Sequence, residues 1–355
     1  MKLLAAAGVV VVALGVAACG GNDDKEPSSG DSTSAKRTIK VGLAYDIGGR
    51  GDKSFNDAAA AGLDKVAKDL DVDKKELEAA PNETENDKYT RLKLLCQGGY
   101  NPIIAVGFAY AGNDPANGPL AKAAKDCPNS HFAIIDDSSV TADNVASLVF
   151  AEEQGSFLVG AAAALKSKTA TVGFIGGCEV PLIKKFEAGY VAGAKAVNPD
   201  ITVLVNYLST PADKCSGFND AAKGETSTGG LIDAGADVVY QAAGGSGTGV
   251  FKAVKAKGKL AIGVDSDQYN TVSDDLKEVI ITSMLKRVDV AVYDFVTDEA
   301  NGTFTNGVTT FDLKAEGVGY STSGGKVDDI KSKLDEYQQK IIDGEITVPT
   351  EPATS

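Results

Sequence analysis

One local pattern occurs twice in this chain: an apolar strand, a glycine-containing loop, and a helix with a phenylalanine in its opening turn. The first copy runs from Val41 to Gly62 and the second from Thr171 to Val197. Elsewhere, apolar segments of strand length alternate with segments whose apolar residues recur at helical spacing. Strands that alternate with helices form parallel βαβ units. The sequence therefore predicts an α/β fold made of two doubly wound, Rossmann-like lobes.

The restart of the pattern indicates a lobe boundary near Phe150. Residues 279–296 show apolar residues at helical spacing and come too late to belong simply to either lobe. If this segment returns to the first lobe, the chain crosses between the lobes more than once, and a hinge joins them. The predicted division is 38–150 plus about 266–300 for the N-terminal lobe, and 151–265 plus about 301–350 for the C-terminal lobe.

The first 18 residues have the pattern of a secretory signal peptide. Lys2 precedes an apolar run that ends in small residues directly before Cys19. The run is shorter than the ~20 residues of a comfortable membrane span, so an uncleaved anchor is the weaker alternative. Similarity to bacterial lipoproteins implies a lipid on Cys19 after cleavage. Residues 19–37 are rich in Ser, Gly and Asp and are predicted to be a disordered tether. We therefore expect an exported protein held at the extracytoplasmic face of the cell membrane.

Four cysteines follow Cys19 in the chain: Cys96, Cys127, Cys178 and Cys215. An even number of cysteines in an exported chain is typical of disulfides. Three pairings are possible, and the one between sequence neighbours would leave one bridge in each half. A metal site is the alternative, but the chain has no C-x-x-C spacing and a single histidine, His131. We predict neither a metal nor a cofactor.

The charge and the motifs favour a binding protein over an enzyme or a nucleic-acid-binding protein. The net charge of −14 disfavours nucleic acid, which attracts basic surfaces. Ser283–Lys286 matches S-x-x-K, but the companion motifs of serine acyl enzymes are missing. The glycine-rich stretch Gly244–Gly249 matches neither phosphate-binding motif. Its glycines, Gly245 or Gly247, are instead predicted to approach a ligand hydroxyl.

The predicted strands end in residues with useful chemistry. These residues are Asp46, Phe108, Asp136, the glycines 244–247 and Asp265. In open α/β sheets, ligands bind at the carboxyl ends of the strands, so these side chains should line one cleft. Asp46, Phe55 and Asn56 offer a carboxylate, a ring and an amide, which suit a neutral ligand with a flat ring and hydroxyls. Phe218 could stack on the same ring, and Lys286 could donate to ligand oxygens.

Several longer motifs carry a family resemblance. They are DIGGRGDKSFN, GFAY, FAIIDD, NVASLVFAEEQGSFLVGAAAA, VGFIGG, GADVVYQAAGGSGTGV and AIGVDSDQ. With these motifs the chain resembles the basic membrane protein family of lipoproteins, of the purine nucleoside receptor A type. The resemblance implies a type I periplasmic-binding-protein fold, a nucleoside in the cleft, and delivery to an ABC transporter permease. The alternatives are a receptor for a sugar or other small polar solute, and a ligand-sensing surface lipoprotein.

The resemblance also implies roles for individual residues. Phe55 and Phe218 would cover the faces of the base, and Phe108 would line the wall. Asp46 and Asn56 would bind the base edge. The ribose would be held by Asp136, Asp265, Lys286 and Gly245. Asp137 is an alternative to Asp136, and Gly244 or Gly247 to Gly245. Residues 211–223, which include Cys215 and Phe218, depart from the family pattern.

Overall fold

Two six-stranded sheets organise the structure, a computed structural model that describes residues 39–353. The predicted signal peptide, Cys19 and the predicted tether therefore lie outside the described residues. The strands are β1 (Lys40–Ala44), β2 (Asp73–Leu77), β3 (Ile103–Ala105), β4 (Phe132–Ile135), β5 (Val145–Phe150), β6 (Thr171–Gly176), β7 (Thr202–Tyr207), β8 (Val238–Ala242), β9 (Leu260–Asp265), β10 (Ile280–Lys286), β11 (Gly307–Phe311) and β12 (Val318–Tyr320). The helices are α1 (Phe55–Leu70), α2 (Glu85–Gln97), α3 (Pro119–Asp126), α4 (Glu152–Lys166), α5 (Pro181–Val197), α6 (Ala221–Asp233), α7 (Gly247–Ala256), α8 (Asp274–Lys277), α9 (Val288–Asn301) and α10 (Lys331–Ile342).

Both sheets have the same internal order. The first sheet runs β11-β5-β4-β3-β1-β2, and all its strands are parallel. The second runs β12-β10-β9-β8-β6-β7, and only β12 is antiparallel to its neighbour. In each sheet the chain starts in the middle and winds outward in both directions, so the strand order reverses next to the first strand of the lobe. The prediction of two doubly wound α/β lobes is confirmed.

The C-terminal part of the chain is divided between the lobes differently from the sequence prediction. Residues 280–286 are not helical but form β10, which lies between β9 and β12 in the second sheet. The helix α9 then packs on α1 of the first lobe, and β11 joins the first sheet. The apolar residues of β10 include Ile281, Met284 and Leu285, which also fall at the i, i+3, i+4 spacing of a helix. Within the range 266–300 predicted for the first lobe, α9 packs there as predicted, but β10 belongs to the second sheet. Within the range 301–350 predicted for the second lobe, β11 joins the first sheet instead.

Helices α4 and α5 approach each other closely in the second lobe. A Cβ at Gly160 would lie 2.1 Å from the carbonyl oxygen of Tyr190, and one at Gly193 would lie 1.9 Å from that of Phe157. Only glycine permits this backbone contact. Because α4 starts directly after β5, the contact ties the crossover between the lobes to the core of the second lobe.

Two disulfides are present in the described part of the chain, one in each lobe. Cys96 at the end of α2 is bonded to Cys127 at the end of α3. Cys178, in the loop after β6, is bonded to Cys215, which follows β7. Between residues 39 and 353 there is no helix long and apolar enough to cross a membrane.

Candidate ligand-binding cleft

The cleft lies between the carboxyl ends of the two sheets. Asp46 and Gly107 follow β1 and β3, where the strand order of the first sheet reverses, and Ala242 ends β8 at the equivalent point of the second sheet. Adjacent loops leave in opposite directions at such a point and open a crevice. Eight predicted site residues line the cleft: Asp46, Phe55, Asn56, Phe108, Asp136, Phe218, Asp265 and Lys286.

Lys286 is the central cation of the cleft. It ends β10 and is almost fully buried, and its Nζ lies 2.6 Å from Asp136 Oδ2 and 3.2 Å from Glu152 Oε1. Burial alone would lower the pKa of Lys286, but the surrounding carboxylates raise it above its usual value. Lys286 is therefore a fixed positive charge that can donate to a ligand oxygen.

Three aromatic rings surround the Lys286 ammonium. Its Nζ lies 5.1 Å from the ring centroids of Phe55 and Phe150 and 5.4 Å from that of Phe186. These separations are within cation–π range. The rings and the carboxylates together restrict the lysine to one position.

Asp136 has one carboxylate oxygen committed and one open. Its Oδ2 accepts from Lys286, whereas its buried Oδ1 has no hydrogen-bond partner among the described residues. Burial raises the pKa of Asp136, with Lys286 opposing the shift. Buried polar atoms are nearly always hydrogen-bonded, so this acceptor is suited to a donor on a ligand. The backbone of Asp136 is left-handed (φ 69°), which aspartate tolerates better than most residues.

Asp265 is held by the opposite lobe. Ser54, in the turn before α1, donates from its hydroxyl to Asp265 Oδ2, and the Ser266 hydroxyl donates back to the Ser54 carbonyl at 2.9 Å. Burial raises the pKa of Asp265. Gln268 adds a further contact between the lobes, from its Nε2 to the Lys53 carbonyl at 2.9 Å. Together these hydrogen bonds join the start of α1 to the loop after β9.

Asn56 lines the cleft, and its side chain is hydrogen-bonded within its own loop. Its Oδ1 accepts from the Asp46 amide at 3.3 Å, and its Nδ2 donates to the Ile47 carbonyl and to Asp52. Asp52 also accepts from the backbone amides of Ser54, Asn56 and Asp57 at the start of α1. Burial raises the pKa of Asp52 to about 6. The amide of Asn56 is thus occupied in positioning Asp46.

Asp46 is the polar group at the β1 end of the cleft. Its Oδ1 accepts from the Ile47 amide at 2.8 Å, and burial raises its pKa. Gly107 makes room for it, because a Cβ there would lie 2.4 Å from Asp46 Oδ2. Gly107 also has φ +106°, a conformation that only glycine adopts readily.

Phe108 and Phe218 meet across the cleft from opposite lobes. Their ring centroids are 6.5 Å apart at 62°, an edge-to-face arrangement. Each lies in a short 3-10 turn, Phe108–Tyr110 and Ser216–Asn219. Both are half-buried, so their remaining ring surface is available to a ligand.

Of the three candidate glycines, Gly244 lines the cleft. A Cβ on Gly245 would meet Asn219 and Asp52 at 3.4 Å and 3.9 Å, which are ordinary contacts. A Cβ on Gly247 would lie 2.5 Å from Gln241, so this glycine is needed for packing at the start of α7. Asp137 lies beside the cleft, where its Oδ1 accepts from the Ser139 hydroxyl.

The sequence reasoning missed residues whose roles depend on tertiary contacts. Glu152 is fully buried and pairs with Lys286, although at a helix start it resembles an ordinary acidic residue near a helix N-terminus. Phe186 lines the cleft, and its place in the second copy of the repeated pattern was the available signal. Asp52 accepts from the amides at the start of α1, and an aspartate at such a position is common in turns for local reasons alone.

The fold and the cleft define the class of the protein. Two doubly wound lobes whose strand ends face one shared cleft form the type I periplasmic-binding-protein fold of solute-binding proteins. The crystal structure of an ABC transporter solute-binding protein from Aeropyrum pernix K1 superposes with a TM-score of 0.75 at 30% identity, covering 89% of this chain and 94% of that one. The fold prediction is therefore confirmed.

The chain belongs to the Bmp family. The family model, described as ABC transporter substrate-binding protein PnrA-like, matches residues 39–352. A CD4+ T-cell-stimulating antigen of Listeria innocua is 36% identical, over 99% of this chain and 98% of the relative. The ABC transporter nucleoside-binding protein BmpA of Lactococcus lactis subsp. cremoris is 33% identical, over 98% and 99%.

Family membership settles several expectations. It confirms the resemblance to the basic membrane protein family and the prediction of a binding protein rather than an enzyme. A substrate-binding component of an ABC transporter has a small-molecule ligand and a permease partner, and it works at the extracytoplasmic side of the membrane.

Proposed function

We propose that this protein binds purine nucleosides in its cleft and delivers them to an ABC permease. The observation that carries the proposal is the combination of Asp136 and Lys286 with aromatic rings in one cleft. The open acceptor on Asp136 and the buried ammonium of Lys286 form one polar end, suited to the hydroxyls of a ribose. Phe55, Phe108 and Phe218 supply rings, and base–aromatic stacking contributes about 1–3 kcal/mol per base.

Each polar group has a role in this proposal. Asp46 accepts from the base edge, and Asn56 holds Asp46 in place. Asp136, Asp265 and Lys286 bind the ribose, and Gly244 lines the cleft beside them. The name of the Lactococcus lactis relative, a nucleoside-binding protein, supports the same ligand class.

Ligand entry requires movement of the lobes. Lys286 and Asp136 are at most 6% exposed, and Ser54 of one lobe is bonded to Asp265 of the other, so the closed lobes cover the groups that would bind the ribose. The chain crosses between the lobes after β5, between β10 and α9, and between β11 and β12. We propose that these crossings form a hinge, so that the lobes separate for entry and close on the ligand.

Calorimetric titration of the chain from Lys36 onward with adenosine, guanosine and inosine tests the ligand class. We expect micromolar or tighter binding and no conversion of the nucleoside. Flat titrations with all three nucleosides would refute the proposal. D-ribose serves as the control, because a receptor that stacks on the base should bind free ribose much more weakly than the nucleosides, whereas a sugar receptor should prefer ribose.

Phe55→Ala separates a nucleoside receptor from a receptor for a sugar or other polar solute. Loss of one stacking face should weaken nucleoside binding at least about tenfold. Leu94→Ala is the matched control, since Leu94 is exposed on α2 away from the cleft. Equal affinities for the two variants would contradict stacking by Phe55.

We also propose that Cys19 carries a lipid that anchors the protein to the membrane. The apolar run and the small residues before Cys19 support this proposal. Cell fractionation of the wild type and of Cys19→Ser provides the test. The wild type should remain with the membrane after a salt wash and Cys19→Ser should not. Membrane retention of both would contradict a lipid on Cys19.

A further inference from the structure

Phe218 reaches the cleft on a segment that belongs to neither sheet. This segment, residues 208–219, follows β7 and contains two short 3-10 turns, Pro211–Asp213 and Ser216–Asn219. Because β7 is the edge strand of the second sheet, no strand lies beyond it that could hold this segment by strand pairing. We call it the Phe218 segment.

Two serine hydroxyls hold the end of the Phe218 segment. The Ser209 hydroxyl donates to the Gly177 carbonyl at 2.6 Å and accepts from the Gly217 amide at 2.9 Å. The Ser246 hydroxyl donates to the Gly217 carbonyl at 2.7 Å and accepts from the Asp220 amide at 2.6 Å. The main chain just before and after Phe218 is therefore attached to two loops of the second lobe.

The Cys178–Cys215 disulfide attaches the middle of the segment to one of those loops. Cys178 directly follows Gly177, and the Phe218 ring packs against Gly177 so closely that a Cβ there would lie 2.3 Å from it. Both Lys214 and Cys215 have φ +53°, which is uncommon for residues other than glycine. Such backbone persists only where the surroundings hold it.

The same segment also contacts the first lobe. Lys214 Nζ donates to the Asn82 carbonyl at 2.9 Å, across the mouth of the cleft. Phe218 faces Phe108 from the opposite lobe. A displacement of the segment would therefore affect both the ring that faces the ligand and a contact between the lobes.

We propose that the Cys178–Cys215 disulfide is a positioning element of the binding site, which holds the Phe218 ring ready to stack on the ligand. This inference rests on the proposed nucleoside-binding function. A cross-link that removes alternative conformations of a binding segment lowers the entropic cost of binding. The Cys96–Cys127 disulfide lies in the first lobe at the ends of α2 and α3, and provides the matched control.

The test compares adenosine affinity in four variants of the exported protein, purified in detergent. The variants are Cys178→Ala/Cys215→Ala, Cys96→Ala/Cys127→Ala, Phe218→Ala, and the combination of the first and third. Phe218→Ala should weaken binding about tenfold. Loss of the Cys178–Cys215 bond should weaken it at least about threefold, and loss of the control bond less than about twofold, even if both lower the melting temperature.

The combined variant separates positioning from a general structural effect. If the disulfide acts through Phe218, its removal in the Phe218→Ala background should cause no further loss of affinity. Independent, multiplying losses would overturn the proposal, as would equal effects of the two disulfides. If the alanine variants do not fold, reduction and alkylation of the folded wild type, with the modified cysteines identified by mass spectrometry, should give the same loss. A wild type that binds no nucleoside refutes the proposed function, whereas binding unaffected by the disulfide refutes only this inference.

Discussion

Lys286→Met tests the charge balance of the cleft most directly. Lys286 is the buried counter-charge of Asp136 and Glu152, at 2.6 Å and 3.2 Å, and all three side chains are at most 6% exposed. Methionine keeps the apolar stem but leaves the buried Asp136 without its cation and leaves Glu152 with only the partly exposed Lys185. Removing one partner of a buried ion pair typically costs about 3–5 kcal/mol in the free energy of unfolding. We expect a loss of that size at pH 8.

The loss should depend on pH in a defined direction. Burial raises the pKa of Asp136 in the folded protein, and Lys286 opposes this shift in the wild type. Without Lys286, the folded protein binds a proton at Asp136 more tightly than the unfolded chain does. A carboxyl whose pKa is higher in the folded state than in the unfolded chain stabilises the protein at low pH. This contribution is lost as the pH rises from about 4 to the folded-state pKa. The variant should therefore be closer to the wild type at pH 5 than at pH 8.

Urea denaturation followed by circular dichroism measures both effects. Lys185→Met is the matched control, because Lys185 pairs with the same Glu152 at 3.3 Å but is 33% exposed. An exposed ion pair contributes at most about 1 kcal/mol. The reasoning is refuted if Lys286→Met costs no more than Lys185→Met at pH 8, or if its deficit grows at pH 5.

Two further substitutions test the geometry of the cleft. Ser54→Ala removes the hydrogen bond to Asp265 between the lobes. Because hydrogen bonds to charged groups contribute about 1.5–3 kcal/mol, the closed state should open more easily and the ligand should dissociate about tenfold faster or more. Stopped-flow measurement of the dissociation rate provides the test. An unchanged dissociation rate would exclude this contact from the closed state. Gly107→Ala places a methyl group 2.4 Å from Asp46 Oδ2 at φ +106°. It should lower both the melting temperature and nucleoside affinity, and wild-type affinity would show that Asp46 does not bind the ligand.

The fold could be predicted from the sequence because its determinants are local. Apolar strands, glycine loops and helical periodicity repeat from Val41 onward and again from Thr171, and each unit folds as the pattern indicates. Strand ends in a parallel sheet lie at one edge, so Asp46, Asp136 and Asp265 could be placed together without knowing the strand order. The roles of these residues toward a ligand stay predictions.

The parts that could not be predicted depend on tertiary contacts. The segment containing β10 is buried on both faces, so its periodicity did not distinguish a strand from a helix. Glu152 acquires its role only because α4 starts where β10 ends, at Lys286. Asn56 could point into the cleft or into its own loop, and the hydrogen bonds with Asp46 and Asp52 select the loop.

The contacts between the lobes also bear on the affinity for the ligand. Ser54 with Asp265, Ser266 with the Ser54 carbonyl, and Gln268 with the Lys53 carbonyl all join the lobes through the protein itself. The bond to the Asp265 carboxylate contributes about 1.5–3 kcal/mol and each of the other two about 0.5–1.5 kcal/mol, so together they contribute roughly 2.5–6 kcal/mol to the closed arrangement. Apparent affinity scales with the fraction of molecules in the binding-competent state. Residues that do not touch the ligand can therefore change its affinity, because they determine how much of the ligand's binding free energy is needed to close the lobes.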